Sequence, residues 1–478
     1  MFVRCSSEAS CRRTVAVESP RRLRFTGRPD AAFTARRYIR DRYGTLGDSP
    51  TGEYAGRAQE KHFVASPVDA ADSLKMPRQI GLDILRMLAV ALVLGRHLEP
   101  TRPANPWPSQ IFASDVEAWT IPFELLRRGG WVGVDLFFVL SGFLVSGLLL
   151  GEYKARGRFS IGRFYLRRAW KILPPFLLLI AVTVVVKRLR RTPVDGKSLV
   201  AELTMLQNYL GGLWPHTWSL AVEEHFYLLL PAVLAVVLGW NRRSPSTWRP
   251  IVALAVVPMA LAFALRRHLW STGAPFHFLT HHAPTHFRFD ALFVGVAIAY
   301  YYHFHSARFR ELLSPRRGWL LVAGALLLVP AFVWPQESPF TYTIGLTLFL
   351  TAGGLLTAGL VLCDFPSRGP IAKGASLGAY SYSIYLWHIP MRDLIVPAID
   401  QLWGVPLGFG LRSAIYLVGS LVLGVVMAKL VELPLLRLRD RWFPPRASGL
   451  APAAAADASG SVRGATAPLA GREAEQSV

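Results

Sequence analysis

The stretch IGLDILRMLAVALVLGRHL, residues 80–98, decides the class of this chain. It is long and apolar enough to lie in hydrocarbon, yet it carries Asp83, Arg86 and His97. A charged side chain at mid-membrane costs roughly 3 kcal/mol even on forgiving insertion scales, so such groups mark function. Eleven residues separate Arg86 from His97, and at about 100° per residue that spacing returns both to one helical face, roughly 16 Å apart along the axis. Asp83 and Arg86, three apart, can pair on that stripe. His97 stands near the far end as a group able to titrate close to neutrality. The structural alternative is an Asp–Arg pair that knits helices together, with His97 closing the helix C-terminus.

The rest of the chain agrees with a membrane setting. Of its 478 residues, 52% are hydrophobic and the mean hydropathy is +0.31, too apolar for an ordinary soluble protein. Hydropathy predicts an all-α polytopic membrane protein with about ten transmembrane helices and no separate soluble domain. The spans fall near residues 79–98, 132–151, 173–187, 218–238, 250–266, 286–303, 318–334, 342–363, 376–396 and 409–430. Loops 152–172, 239–249, 304–317 and 364–375 hold 16 Lys and Arg, more than the alternate loops, which places them and both termini in the cytoplasm. The formal net charge is +22, but the basic residues sit in tails and short loops beside apolar runs. That pattern points to membrane lipid headgroups and an anionic cytosolic ligand, not to nucleic acid. Cys5, Cys11 and Cys363 support neither a disulfide framework nor a thiolate metal site.

Residues 1–78 are rich in Arg, Ser, Pro and Gly without a sustained apolar period, and read as a disordered basic tail. Met76, immediately before PRQIGLDILR, is an alternative start. Residues 79–432 form the membrane domain, and 433–478 read as a low-complexity cytoplasmic tail.

Four further segments break hydrophobic expectation. GRFYLRRAWKILPP (162–175) brings Arg163, Arg167, Arg168 and Lys171 to the mouth of the third span. Arg168 and Lys171, at i and i+3, can clamp phosphate from one face; the bland alternative is a positive-inside anchor. TWSLAVEEHFYLLLP (217–231) sets Ser219, Glu223 and Tyr227 on one face, while Glu224 lies about 100° away. HFRFDALFVGVAIA (286–299) opens the sixth span with Arg288 and Asp290, about 200° apart, so each must seek partners on other helices. GAYSYSIYLWHIP (378–390) sets Tyr382, Tyr385 and His388 three apart, a hydroxyl-and-imidazole stripe or else an aromatic packing face. The loop HFLTHHAPTHF (277–287) has four histidines, but Pro284 interrupts a helix and no carboxylate or Cys accompanies them, so no metal site is expected.

Taken in this order, with GVDLFFVLSGFL (133–144), the segments resemble the integral-membrane acyltransferase family 3. Members of that family are O-acyltransferases of bacterial cell-surface polysaccharides, lipopolysaccharide and some small molecules. The family opens with an Arg, ten residues and a His, here Arg86 through His97, and the resemblance runs over about residues 79–432. The family's RxxR pattern departs here, since its second position is Lys171, a point charge unable to make a bidentate guanidinium contact. Many relatives append an extracytoplasmic SGNH hydrolase-like domain, and the tail after residue 432 does not read as one.

The resemblance implies a bacterial inner-membrane enzyme with no bound cofactor. It would move an acyl group, most often acetyl, from acyl-coenzyme A as co-substrate to a hydroxyl of a carbohydrate or glycolipid acceptor. Arg167, Arg168 and Lys171 would hold the donor's phosphates. His97 would be general base or transient acyl carrier, Arg86 or Arg288 would stabilise the oxyanion, and Glu223 would orient His97 or carry a proton. Asp83, Ser219, Tyr227, Asp290, Tyr385 and His388 would support the substrates. The rival is a transporter or flippase of a lipid-linked glycan or small anion, in which the same groups form a substrate or proton path. Neither inverted repeats nor paired broken helices favour it. Acceptor identity and acyl length are not legible.

Overall fold

The computed structural model describes residues 79–99, 118–243, 248–404 and 407–444, so the tail expected at 1–78, Met76 and the tail beyond 444 lie outside the described residues. Every regular element among the described residues is helical. The helices that position the site are α1 (Ile80–Arg96), α2 (Gly133–Arg156), α3 (Ile161–Leu189), α4 (Gly196–Leu203), α5 (Trp218–Arg243), α6 (Val257–Ser271) and α7 (Phe289–Phe304). They are followed by α8 (Arg317–Val333), α9 (Leu346–Val361), α10 (Ser381–Pro390), α11 (Phe409–Met427) and α12 (Leu433–Trp442).

Seven helical stretches among the described residues are long and apolar enough to cross a membrane. Three of the ten expected spans fall outside that number. Helix α1 has only 17 residues and carries three charged groups, and α7 has 16 residues. The segment from Ser381 to Trp403, which passes through a π turn at Met391–Ile395, carries Arg392, Asp393 and Asp400 and so is less apolar. Two boundaries also move. The Arg-rich run expected as a loop before residue 173 is the opening of α3, which continues through Pro174 and Pro175. Proline removes one donor but holds φ near the helical value, and neighbouring helices can absorb that loss. At the other end, residues 433–442 are helical, and Asp440 pairs with Arg167 at 3.0 Å.

Helices α2 and α7 cross at their glycines. A Cβ on Gly142 would lie 1.9 Å from the Leu292 carbonyl oxygen, and one on Gly295 would lie 2.1 Å from that of Val139. Only glycine permits this approach, and close backbone packing is what holds helices together where lipid removes the hydrophobic drive. Two ion pairs lock the same region: Arg288 to Asp135 at 2.7 Å, and Arg266 to Asp290 at 2.9 Å, all at most 2% exposed. Arg288 and Asp290 do find partners on other helices, α2 and α6, as their angular separation required. Removing one member of such a pair strands a buried charge at about 3–5 kcal/mol, so they are pins of the bundle.

Candidate functional site: two cavities that meet at a tyrosine

The bundle encloses a basic cavity of about 320 Å³. Arg86 of α1 and Arg168 and Lys171 of α3 contribute its positive charge, and Glu223 and Glu224 of α5 its negative charge. The stripe Ser219, Glu223 and Tyr227 lines it as one face. Tyr227 donates to Glu223 Oε2 at 2.7 Å, and its phenol oxygen lies 2.6 Å from Ser141 Oγ. The Arg168 guanidinium sits 5.2 Å over the Tyr227 ring, a cation–π contact that holds it facing the cavity. Arg86 pairs with Asp83 at 2.5 Å, as their spacing predicts. One oxygen of Glu224 is buried with no hydrogen-bond partner among the described residues.

A second cavity, about 440 Å³, opens from the other end of α1. His97, His216 and His282 line it with Trp131, Trp214 and Trp218, and Gln207, Gln336 and Arg96 add polar groups. Among the described residues no carboxylate lines it. Three imidazoles run through its wall: His97 to His388 at 5.1 Å and His388 to His216 at 5.0 Å between ring centroids. His388 Nδ1 donates to the Tyr385 carbonyl at 2.5 Å, and its Nε2 is buried without a partner among the described residues. Arg392, on the π turn, lies 3.4 Å from His97 Nδ1. The guanidinium can only donate, so a fixed positive charge stands beside the His97 imidazole.

The loop between α4 and α5 brings His216 and Trp214 to this cavity, and a buried carboxylate shapes it. Glu202 Oε1 accepts from the backbone N–H of Leu213 at 3.0 Å and Trp214 at 3.3 Å, and from the Thr217 hydroxyl at 2.8 Å. Burial pushes the Glu202 carboxyl up to about 7 from its ordinary 4.5, against the pull of those three donors. Burial also pushes the His216 imidazole down to about 4, so it is neutral at physiological pH.

The predicted site residues therefore separate. Arg86, Arg168, Lys171, Ser219, Glu223 and Tyr227 line the basic cavity, His97 lines the other, and Tyr385 lines both. Glu223 bonds to Tyr227, not to His97, so the expected orienting contact is absent from the described contacts. Arg288 and Asp290 line neither cavity, because their ion pairs consume them. Arg167 also faces elsewhere, held by Asp440 and the Phe443 carbonyl. The histidines of the 277–287 loop diverge: His281 stacks near Phe276 and Tyr342, while His282 sits between Trp131 and Trp218. Among the described residues no group of His, Cys, Asp and Glu is arranged to hold a metal ion.

Arg392 and His216 were missed. Arg392 stands four residues after His388 in an apolar run, the helical spacing that puts two residues on one face. That signal was readable. His216 has no periodic signature, since it lies in a loop whose path only the fold defines.

A helical membrane protein with a basic cavity and a histidine-lined cavity meeting inside one bundle is the class these observations define. Residues 79–429 match acyltransferase family 3, described as an acyltransferase domain, and the chain belongs to that family. Peptidoglycan O-acetyltransferase OatA of Listeria monocytogenes is 25% identical over 391 residues, which cover 74% of this chain and 55% of that protein. Putative peptidoglycan O-acetyltransferase YrhL of Bacillus subtilis is 28% identical over 296 residues, covering 56% and 45%. O-acetyltransferase OatA of Staphylococcus aureus is 27% identical over 295 residues, covering 55% and 46%. The chain thus spans about half the length of the curated relatives it matches. No solved structure matches it.

Proposed function

We propose that this chain is an inner-membrane O-acyltransferase that takes an acetyl group from acetyl-coenzyme A in the basic cavity and delivers it to a hydroxyl of a cell-wall carbohydrate in the histidine cavity. The observation that carries this is the pairing of two unlike cavities within a domain of an acyltransferase family. Arg168 and Lys171 suit the donor's phosphates, and positive-inside topology puts their end of α3 in the cytoplasm. Three tryptophans and two glutamines suit a sugar, whose apolar face packs on rings and whose hydroxyls need amide partners. The printed names of the relatives favour peptidoglycan as that carbohydrate.

In the reaction, the acceptor oxygen attacks the thioester carbonyl carbon while His97 takes the hydroxyl proton. Arg392, beside His97, is placed to stabilise the oxyanion. The C–S bond then breaks, its electron pair leaves on sulfur, and the proton passes to that sulfur, giving an ester and free coenzyme A thiol. Arg86 and His97 are about 16 Å apart along α1 by helical rise, so the donor must reach with an extended arm. Coenzyme A has such an arm between its phosphates and its thiol.

The test is direct. Purified full chain in lipid is given acetyl-coenzyme A with soluble peptidoglycan fragments, and both thiol release and acceptor ester are measured. Acceptor-dependent thiol release with matching ester is expected. Binding of either compound without release would favour the transporter and overturn this reading.

A further inference from the structure

Two residues line both cavities: Val134, in the first turn of α2, and Tyr385, in the middle of α10. The two chambers therefore share a stretch of wall to which an aromatic ring and a branched aliphatic side chain both contribute. Tyr385 is anchored at that wall. Its hydroxyl donates to the His216 carbonyl at 2.7 Å, and Ser219 Oγ lies 2.6 Å away, left to donate in turn. Its ring also meets Phe137 edge-on at 6.1 Å. The anchor on the far side is itself fixed, because Glu202 binds Thr217 beside His216. Swinging Tyr385 aside breaks two hydrogen bonds and vacates a ring's volume between the chambers.

We infer that Tyr385 is the gate between the basic and histidine cavities, and that its ring and Val134 set the bulkiest acyl group that can pass. The gate itself follows from the shared wall alone, and only the acyl-bulk part rests on the acyl-transfer reading above. Both residues are selectors by position: an unbranched acyl chain is no wider than the coenzyme's own arm, and a branched one needs the ring displaced.

Two measurements on the full chain in lipid separate the parts. The first places a cysteine at Ser141, which lines only the basic cavity, after Cys5, Cys11 and Cys363 are replaced by alanine. A charged methanethiosulfonate reagent is added from the histidine-cavity side, with Gln207→Cys as a reporter of that chamber. With Tyr385 present, the Ser141 position should label slowly; Tyr385→Ala should speed it about tenfold or more, and Tyr385→Phe less, since it keeps the ring but drops the hydrogen bonds. Labelling from the opposite side should not change, which certifies the fold. Should Tyr385→Ala fail that control, Val134→Ala and Val134→Phe open and narrow the same wall from α2. Equal labelling from the histidine side in parent and every folded variant overturns the gate.

The second measurement compares acetyl-, isobutyryl- and pivaloyl-coenzyme A by thiol release. Tyr385→Ala or Val134→Ala should raise isobutyryl use relative to acetyl by about tenfold, and Val134→Phe should lower it. Changed labelling with unchanged acyl preference removes the bulk selection while keeping the gate. Changed labelling with no thiol release from any donor keeps the gate and overturns the acyl-transfer reading.

Discussion

The basic cavity and the histidine cavity are built from opposite materials. The first takes its groups from helix faces: Ser219, Glu223 and Tyr227 at four-residue steps on α5, Arg168 and Lys171 on one turn of α3, Arg86 on α1. The second takes many of its groups from helix ends and loops: His97 at the C-terminus of α1, Trp214 and His216 before α5, His282 before α7, with Arg392 beside it on a π turn. The first carries charge of both signs, whereas among the described residues the second is lined by rings, amides and a single arginine. An anionic donor needs charge, and charge in a membrane needs rigid, mutually paired supports. A hydroxyl needs a base, a charge stabiliser and a shaped wall, which loops can supply.

The comparison breaks most readily at His97. His97→Ala should abolish acceptor esterification, a loss of about a hundredfold or more, while the protein still inserts. Retention of more than about a tenth of the parental rate, measured as ester formed, would move the chemistry out of the histidine cavity. Arg392→Gln should come next, lowering kcat by about a hundredfold with little change in the donor's KM, as expected for a group that acts on developing charge. A KM effect on acetyl-coenzyme A alone would instead make Arg392 part of the donor site.

Arg168→Ala sharpens the other side. It should raise the apparent KM for acetyl-coenzyme A by an amount worth about 1.5–3 kcal/mol and leave the acceptor's KM alone. Lys171→Arg should tighten donor binding, because a guanidinium can grip phosphate in two places where an ammonium cannot. If both variants change only the acceptor's KM, the donor assignment and the topology behind it fall together.

The smallest expected effect is on stability. The Glu202 carboxyl stands at about 7 in the folded chain against an ordinary 4.5, so the folded state holds the extra proton between those values. Stability from this group is therefore present at low pH and is lost as pH rises through that window. Glu202→Gln keeps acceptors for Leu213, Trp214 and Thr217 but cannot ionise. It should flatten the fall in Tm between about pH 5 and 8 by a few degrees, as measured by thermal unfolding in detergent. An unchanged slope would show that the 211–217 loop is not shaped by that carboxylate.

How far the sequence could be read follows the same division. Helix periodicity made Arg86, Ser219, Glu223 and Tyr227 visible as one-sided stripes, and they do share a cavity. The angular separation of Arg288 and Asp290 implied partners on other helices, which are Asp135 and Arg266. Arg288, offered beside Arg86 for the oxyanion, lines neither cavity, because a spacing rule shows which way a residue points, not what it meets there. Glu223, offered to orient His97 or to carry a proton, follows the same rule: its own helix supplies Tyr227 as partner.

By itself, the sequence determined the membrane class, the helical architecture, the family and the charged face of the basic cavity, because hydropathy and a 3.6-residue period are local properties of the chain. Only the tertiary structure decided that these groups occupy two chambers, that Arg392 and His216 join His97, and that Tyr385 and Val134 stand between. Those facts depend on how helices distant in sequence approach one another, as α2 and α7 do through their glycine contacts and the buried Arg288–Asp135 pair, between residues more than a hundred positions apart.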